Sequence, residues 1–157
     1  MAFTVDLTED VGVAMPFDGA GKHFVVQKTV DFSVAANHLA NDETMGLFPI
    51  PAGVLVEEVI VEVVTCPDAD SNDIDIGSYT TAGVAIAATG FGDHFAILGG
   101  SVAGTYVRDV AGQTYSLTDG TAGFVRATDW ALGFNNDDAD ELDAGVLRFI
   151  AICKDLR

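Results

Sequence analysis

A chain of 157 residues is long enough for one domain. With 49% hydrophobic and 9% aromatic residues it carries the apolar side chains to close a core, which excludes disorder as its ground state. Its 24 acidic residues against 7 basic ones give a formal charge of −17; this field repels phosphate backbones and anionic headgroups and excludes nucleic acid and membrane surfaces as partners.

The amino terminus, Met1 to Asp6, lacks the basic flank and apolar run of a signal peptide, so synthesis and first folding in a cytoplasm are expected. Residues 1–22 are expected to form an extended amino-terminal arm ahead of a β-sandwich that takes in the rest of residues 1–157 as a single domain. Gly19-Ala20-Gly21-Lys22 lacks the glycine spacing, the following hydroxyl and the helix of a phosphate cradle, and reads as a loop.

From His23 to Val34 the chain is rich in β-branched and aromatic residues, with Phe24, Val26, Lys28, Val30, Phe32 and Val34 on one face of a strand. Asn37 to Pro51 is polar and then proline-rich, and reads as a loop closed by a corner at Pro49, Pro51 and Gly53. Val54 to Thr65 is a second strand, with Leu55, Val59, Val61 and Val63 on one side and Glu58 and Glu62 on the other. An acidic loop, Cys66 to Asp73, leads into a short strand at Ile74–Ile76 that ends at Gly77.

Residues 78–120 are rich in small residues, with apolar pieces at Val84–Ala88, Phe95–Leu98 and Tyr106–Val110, and Asp93–Leu98 is compatible with a helical turn. Gly123–Phe134 alternates as a strand, Asn135–Glu141 is an acidic turn, and Val146–Cys153 has the apolar character of a central strand. Short strands separated by Gly, Pro, Asn and Asp turns define an all-β chain, an antiparallel β-sandwich of jelly-roll-like type.

Few residue patterns point to chemistry. Asp68, Asp70 and Asp73 begin like a calcium loop, but Asp73 replaces the turn glycine and Tyr79 stands where the closing acid belongs. They remain calcium candidates of looser geometry, as do Asp137, Asp138, Asp140 and Asp143. His23, His38 and His94 lack partners at zinc spacing. Asp93, His94 and Ser101 lack a nucleophile elbow, so no catalytic residue is assigned and the chain is not read as an enzyme. Cys66 and Cys153 are read as buried thiols, with a bridge between neighbouring strands as the alternative. Trp130 is read as a core or interface residue, with sugar stacking as its alternative.

Three pieces in order carry a resemblance: Leu47-Phe48-Pro49-Ile50-Pro51-Ala52-Gly53 feeding Val54–Val63, then Asp73-Ile74-Asp75-Ile76-Gly77, then Asp143-Ala144-Gly145 opening Val146–Ala151. On these, over residues 29–80 and 128–153, the chain resembles small β-sandwich virion structural proteins of tailed phages and related viruses. The resemblance implies a head decoration or cement protein, located on the capsid surface of a virion and made in the host cytoplasm. Its implied partners are the major capsid protein and further copies of itself, often as a trimer, and it implies no cofactor and no catalytic residue. Two other readings suit the same pattern: a carbohydrate-binding, lectin-like jelly roll using Trp130, Tyr79, Tyr106 and Tyr115, and a tail or head-fibre base component. A mean hydropathy of +0.33 beside the −17 charge leads us to expect self-association through an apolar surface.

The Asp-rich surface with only Lys22, Lys28 and Lys154 as lysines suits a saline habitat, marine or halophilic, since near 1 M salt the Debye length falls to about 3 Å. Thermal unfolding followed from low salt to 1 M salt is expected to show a rising midpoint; a flat response would instead mark an ordinary solubilising surface.

Overall fold

The computed structural model describes residues 5–6, 22–67, 73–96, 104–107 and 126–157, with the backbone alone at 5–6, 93–96 and 105–107. Its strands are β1 (Val5–Asp6), β2 (His23–Asp31), β3 (Thr44–Ile50), β4 (Val54–Thr65), β5 (Asp73–Tyr79), β6 (Ala85–Ala96), β7 (Thr105–Val107), β8 (Trp130–Asn136) and β9 (Val146–Asp155). One sheet has the order β1-β3-β8-β5-β6 and the other β2-β9-β4-β7. Every pairing is antiparallel except β1 with β3. Among the described residues the one helical element is a 3-10 turn at Ala35–Asn37, so the expected antiparallel, jelly-roll-like sandwich is what the chain forms. Val5–Asp6, inside the segment expected to be an arm, adds a short parallel strand to the edge at β3.

β9 is the central strand that its sequence suggests. It lies between β2 and β4, with Leu147, Phe149, Ala151 and Cys153 buried and the residues between them partly exposed. The strict alternation follows from the two-residue period of a strand with one face on the core. Facing it, β8 buries Trp130, Leu132 and Phe134. Phe134 stacks on Phe149 with ring centroids 4.9 Å apart and meets the edge of Phe32 at 6.2 Å, so aromatic contact ties the two sheets together.

β4 runs over the expected residues, but its inward set differs. Val54 and Val56 are buried, the register shifts between Val56 and Glu58, and Val59, Val61 and Val63 are buried beyond it. The extra residue of this β-bulge resets the alternation, so Leu55 lies on the outer side and not with the valines. β2 keeps Phe24, Val26, Lys28 and Val30 on the inward side, but it stops at Asp31 and leaves Val34 exposed. The Asp31 carboxylate accepts the Ser33 N–H at 2.9 Å and the Ser33 hydroxyl at 2.6 Å, which turns the chain out of the sheet.

The expected corner falls at Pro51–Gly53, where Gly53 has φ +78° and the Val54 N–H donates to the Pro51 carbonyl, but the segment before it, expected as a loop, is a strand. β3 spans Thr44–Ile50 and pairs with β8, with Pro49 exposed opposite Ala131. The β1 pairing stops at Gly46, so the missing Pro49 N–H interrupts no ladder on that side. β5 continues past Gly77 to Tyr79, because β6 crosses closely there: a Cβ on Gly77 would meet the carbonyl oxygens of Ala88 and Ala87 at 2.1 and 2.2 Å. Asp93–Ala96 belongs to β6 and not to a helical turn, since Asp73 and Ile74 pair with Ala96 and Phe95. β8 begins only at Trp130. The preceding segment instead closes the Ala52–Gly53 turn, with Asp129 accepting the Ala52 N–H at 2.9 Å and the Arg126 carbonyl accepting the Gly53 N–H at 3.0 Å.

Asn136, wholly buried, joins two loops at one end of the sandwich. Its side-chain amide donates to the carbonyls of Leu39 at 3.0 Å and Asp140 at 2.8 Å, while its backbone bonds to Glu43 and Asp42. Asn136→Ala removes two hydrogen bonds and empties a wholly buried position, and is expected to cost about 2 kcal/mol in urea unfolding. Asp143→Ala, at an exposed position of the same loop, is expected to stay within about 0.5 kcal/mol of the parent.

Candidate functional site

Among the described residues, those singled out for chemistry do not converge. Asp68 and Asp70 lie outside the described residues; Asp73 opens β5, where its carbonyl accepts the Asp137 N–H at 3.1 Å. Asp138 accepts the Asp140 N–H at 3.3 Å, an ordinary aspartate turn. Among the described residues no group of three or more His, Cys, Asp or Glu side chains is placed to hold a metal ion. His23 and His38 pair with Glu57 at 3.1 Å and Glu141 at 3.7 Å, at separate places. The side chains of Asp93 and His94, and all of Ser101, lie outside the description, as do Tyr115, the Tyr106 side chain and Gly19–Gly21.

Trp130 is a core residue. It is fully buried and stacks parallel to Phe91 at 6.0 Å, so it offers no face to a sugar. Tyr79 is equally buried, and burial, helped by the charge of Asp75, pushes its hydroxyl well above the ordinary tyrosine range. Two of the aromatics that motivated a carbohydrate platform are therefore inside the protein.

The two cysteines are free. Cys153 pairs across the ladder with Val56 near the start of β4, whereas Cys66 follows the far end of that strand, so about ten residues at roughly 3.3 Å each separate them. A bridge is excluded by register. Burial, with the Glu57 charge adding to it, pushes the Cys153 thiol up to about 12.

What the strands do assemble is a surface. On the outer face of the β2-β9-β4 sheet the register aligns Val25 with Ile152 and Glu58, Gln27 with Ile150 and Ile60, and Thr29 with Arg148 and Glu62. Arg148 spans all three strands, donating to Glu62 at 2.8 Å and towards the Thr29 hydroxyl at 3.4 Å. Val25, 58% exposed, and the partly exposed Ile60, Ile150 and Ile152 form an apolar row framed by charges of both signs. Alternation along a strand signals only one apolar face; the second is signalled by Val146–Cys153, which apart from Arg148 is apolar on both sides. At one end of the sheet Asp155 is held by Arg157 through bonds of 3.0 and 2.7 Å to its side chain and 2.9 Å to its N–H. These bonds hold its carboxyl down to about 2, against an ordinary 3.8.

No protein-family model matches the sequence, and no curated protein matches it. Solved structures do match in fold. A chain from the capsid of Ralstonia phage GP4 superimposes with a TM-score of 0.69 at 15% identity, over 98% of this chain and 94% of that one. A chain from the capsid asymmetric unit of cyanophage Pam1 does so with a TM-score of 0.52 at 16% identity, over 91% and 92%. The chain thus has the fold of subunits found in phage capsids.

Two outcomes follow from this geometry. Because the folded state holds the Asp155 proton more weakly than the unfolded chain, the ion pair contributes stability that is present above about pH 4 and is lost as pH falls through about 2. The difference in urea midpoint between the parent and Asp155→Asn is therefore expected to shrink from pH 5 to pH 2; a constant difference would remove the ion pair as its cause. Thiol labelling at pH 8 is expected to spare Cys153 in the native protein and to modify it only after unfolding.

Proposed function

We propose that the chain is a virion structural protein, a capsid decoration subunit that seats on the lattice of the major capsid protein and stabilises it. The observation that carries this reading is the match over nearly the whole of both chains to a subunit from the GP4 capsid. Since each chain covers more than nine-tenths of the other, the likeness runs along nearly the whole of both chains and is not confined to one module of either. The second capsid chain supports the same reading at similar coverage.

The physical character of the molecule suits such a task. A decoration subunit needs a rigid body and surfaces for docking, and it needs no converging catalytic groups. Here the strongest side-chain clusters, Phe134 with Phe149 and Phe91 with Trp130, are spent on the interior. Self-association belongs to the same proposal; the sequence resemblance implies three copies, whereas the face-to-face contact argued below closes at two.

The test is co-sedimentation of the purified protein with heads assembled from the major capsid protein of the same phage. Saturable binding to heads and a higher temperature of head disruption are the expected results. Binding to tails but not to heads would reassign the chain to a tail or head-fibre base, and binding to neither would remove the virion reading.

A further inference from the structure

We infer that the outer face of the β2-β9-β4 sheet is the surface through which one copy of this chain packs against a second. The inference deepens the assembly reading and rests on it, but it is argued from charge and register. In a chain with 24 acidic and 7 basic residues, the outward positions of β2 and β9 carry two basic side chains, Arg148 and Lys154, against one acidic one, Asp31. Elsewhere two copies repel. Across these two strands the repulsion is absent, and the apolar row of Val25, Ile150, Ile152 and Ile60 gains by leaving water.

The charges on this face are complementary to themselves. β9 places Arg148 and Lys154 outward, and β4 places Glu57, Glu58 and Glu62 on the adjoining strip. If a second copy lies face to face, offset by one strand, β9 of each lies over β4 of the other. Arg148 then faces Glu62, Ile150 faces Ile60, and Lys154 comes near the Glu57–Glu58 bulge. A strongly basic partner would be drawn instead to the more acidic remainder of the surface, so the mixed signs favour a second copy as the occupant. Among the described residues β2 is the edge of its sheet, and it turns a charged residue, Lys28, to the inward side. An inward-pointing charge on an edge strand discourages strand-to-strand addition, which leaves the face and not the edge as the contact.

The experiment measures mass in solution by light scattering across protein concentration and salt, for the parent, Ile152→Glu and Lys154→Glu. The parent is expected to exceed the 16.4 kDa of one chain, and more so as salt screens the net charge. Each substitution is expected to weaken association by about tenfold or more. Lys154 is a partly exposed end residue of β9 whose reversal sets like charge near Glu57 and Glu58 of the other copy, so its variant decides the matter if Ile152→Glu does not fold. A monomeric parent at every salt concentration, or folded variants that keep the parent's mass, overturns the inference. The head-binding assay separates the two ideas: a monomer that still coats heads refutes this contact alone, whereas an oligomer dissociated by both substitutions that ignores heads supports the contact and refutes the decoration role.

Discussion

The structure depends on the alternation of side chains along β9. Leu147, Phe149, Ala151 and Cys153 point into the sandwich only while Arg148, Ile150, Ile152 and Lys154 point out, and a slip of one residue would exchange the two sets. Because β9 hydrogen-bonds to β2 on one side and β4 on the other, its register fixes both neighbours. Phe149 then carries the constraint across the interior to Phe134 and so to the opposite sheet. The bulge at Glu57 is a local consequence: it lets β4 keep valines against β9 at both ends of a twelve-residue strand.

The same alternation separates the two roles of the apolar residues. The inward set closes the core, and what remains on β9 is a second apolar row that a monomer has no need of. That surplus, set in a chain with a −17 charge, is what the proposed contact between copies rests on. Among the described residues the chemistry-bearing side chains, by contrast, are dispersed or engaged in holding the fold. Asp31 turns the chain after β2, Asp129 closes the turn before β4, and Asp155 anchors the carboxyl-terminal end.

Much of the fold was legible where one face of a strand is wet. Val54–Thr65 and Val146–Cys153 announce themselves by period and composition, and the structure places strands there. Legibility failed where tertiary context overrode local signals. Pro49 looked like a corner, yet it sits in β3 opposite β8, at a point the β1 pairing does not reach. Gly77 looked like a strand end, yet it is the place in β5 where the β6 backbone comes too close for any side chain. The bulge in β4 left no trace in the alternation of Val54–Val56, and it moved Leu55 to the outer face. The surface was harder to read than the core, because a row formed by Val25, Ile152 and Ile60 exists only once three strands distant in sequence are aligned.

The central claim, that this sandwich is a capsid-surface part and not a catalyst, is tested most directly by electron microscopy of the particle that carries the chain, at a resolution that traces strands. The expected result is density for the two-sheet body seated on the outside of the shell at regular lattice positions. A shell bare of such density, with the chain present in the infected cell but not in the particle, would contradict it.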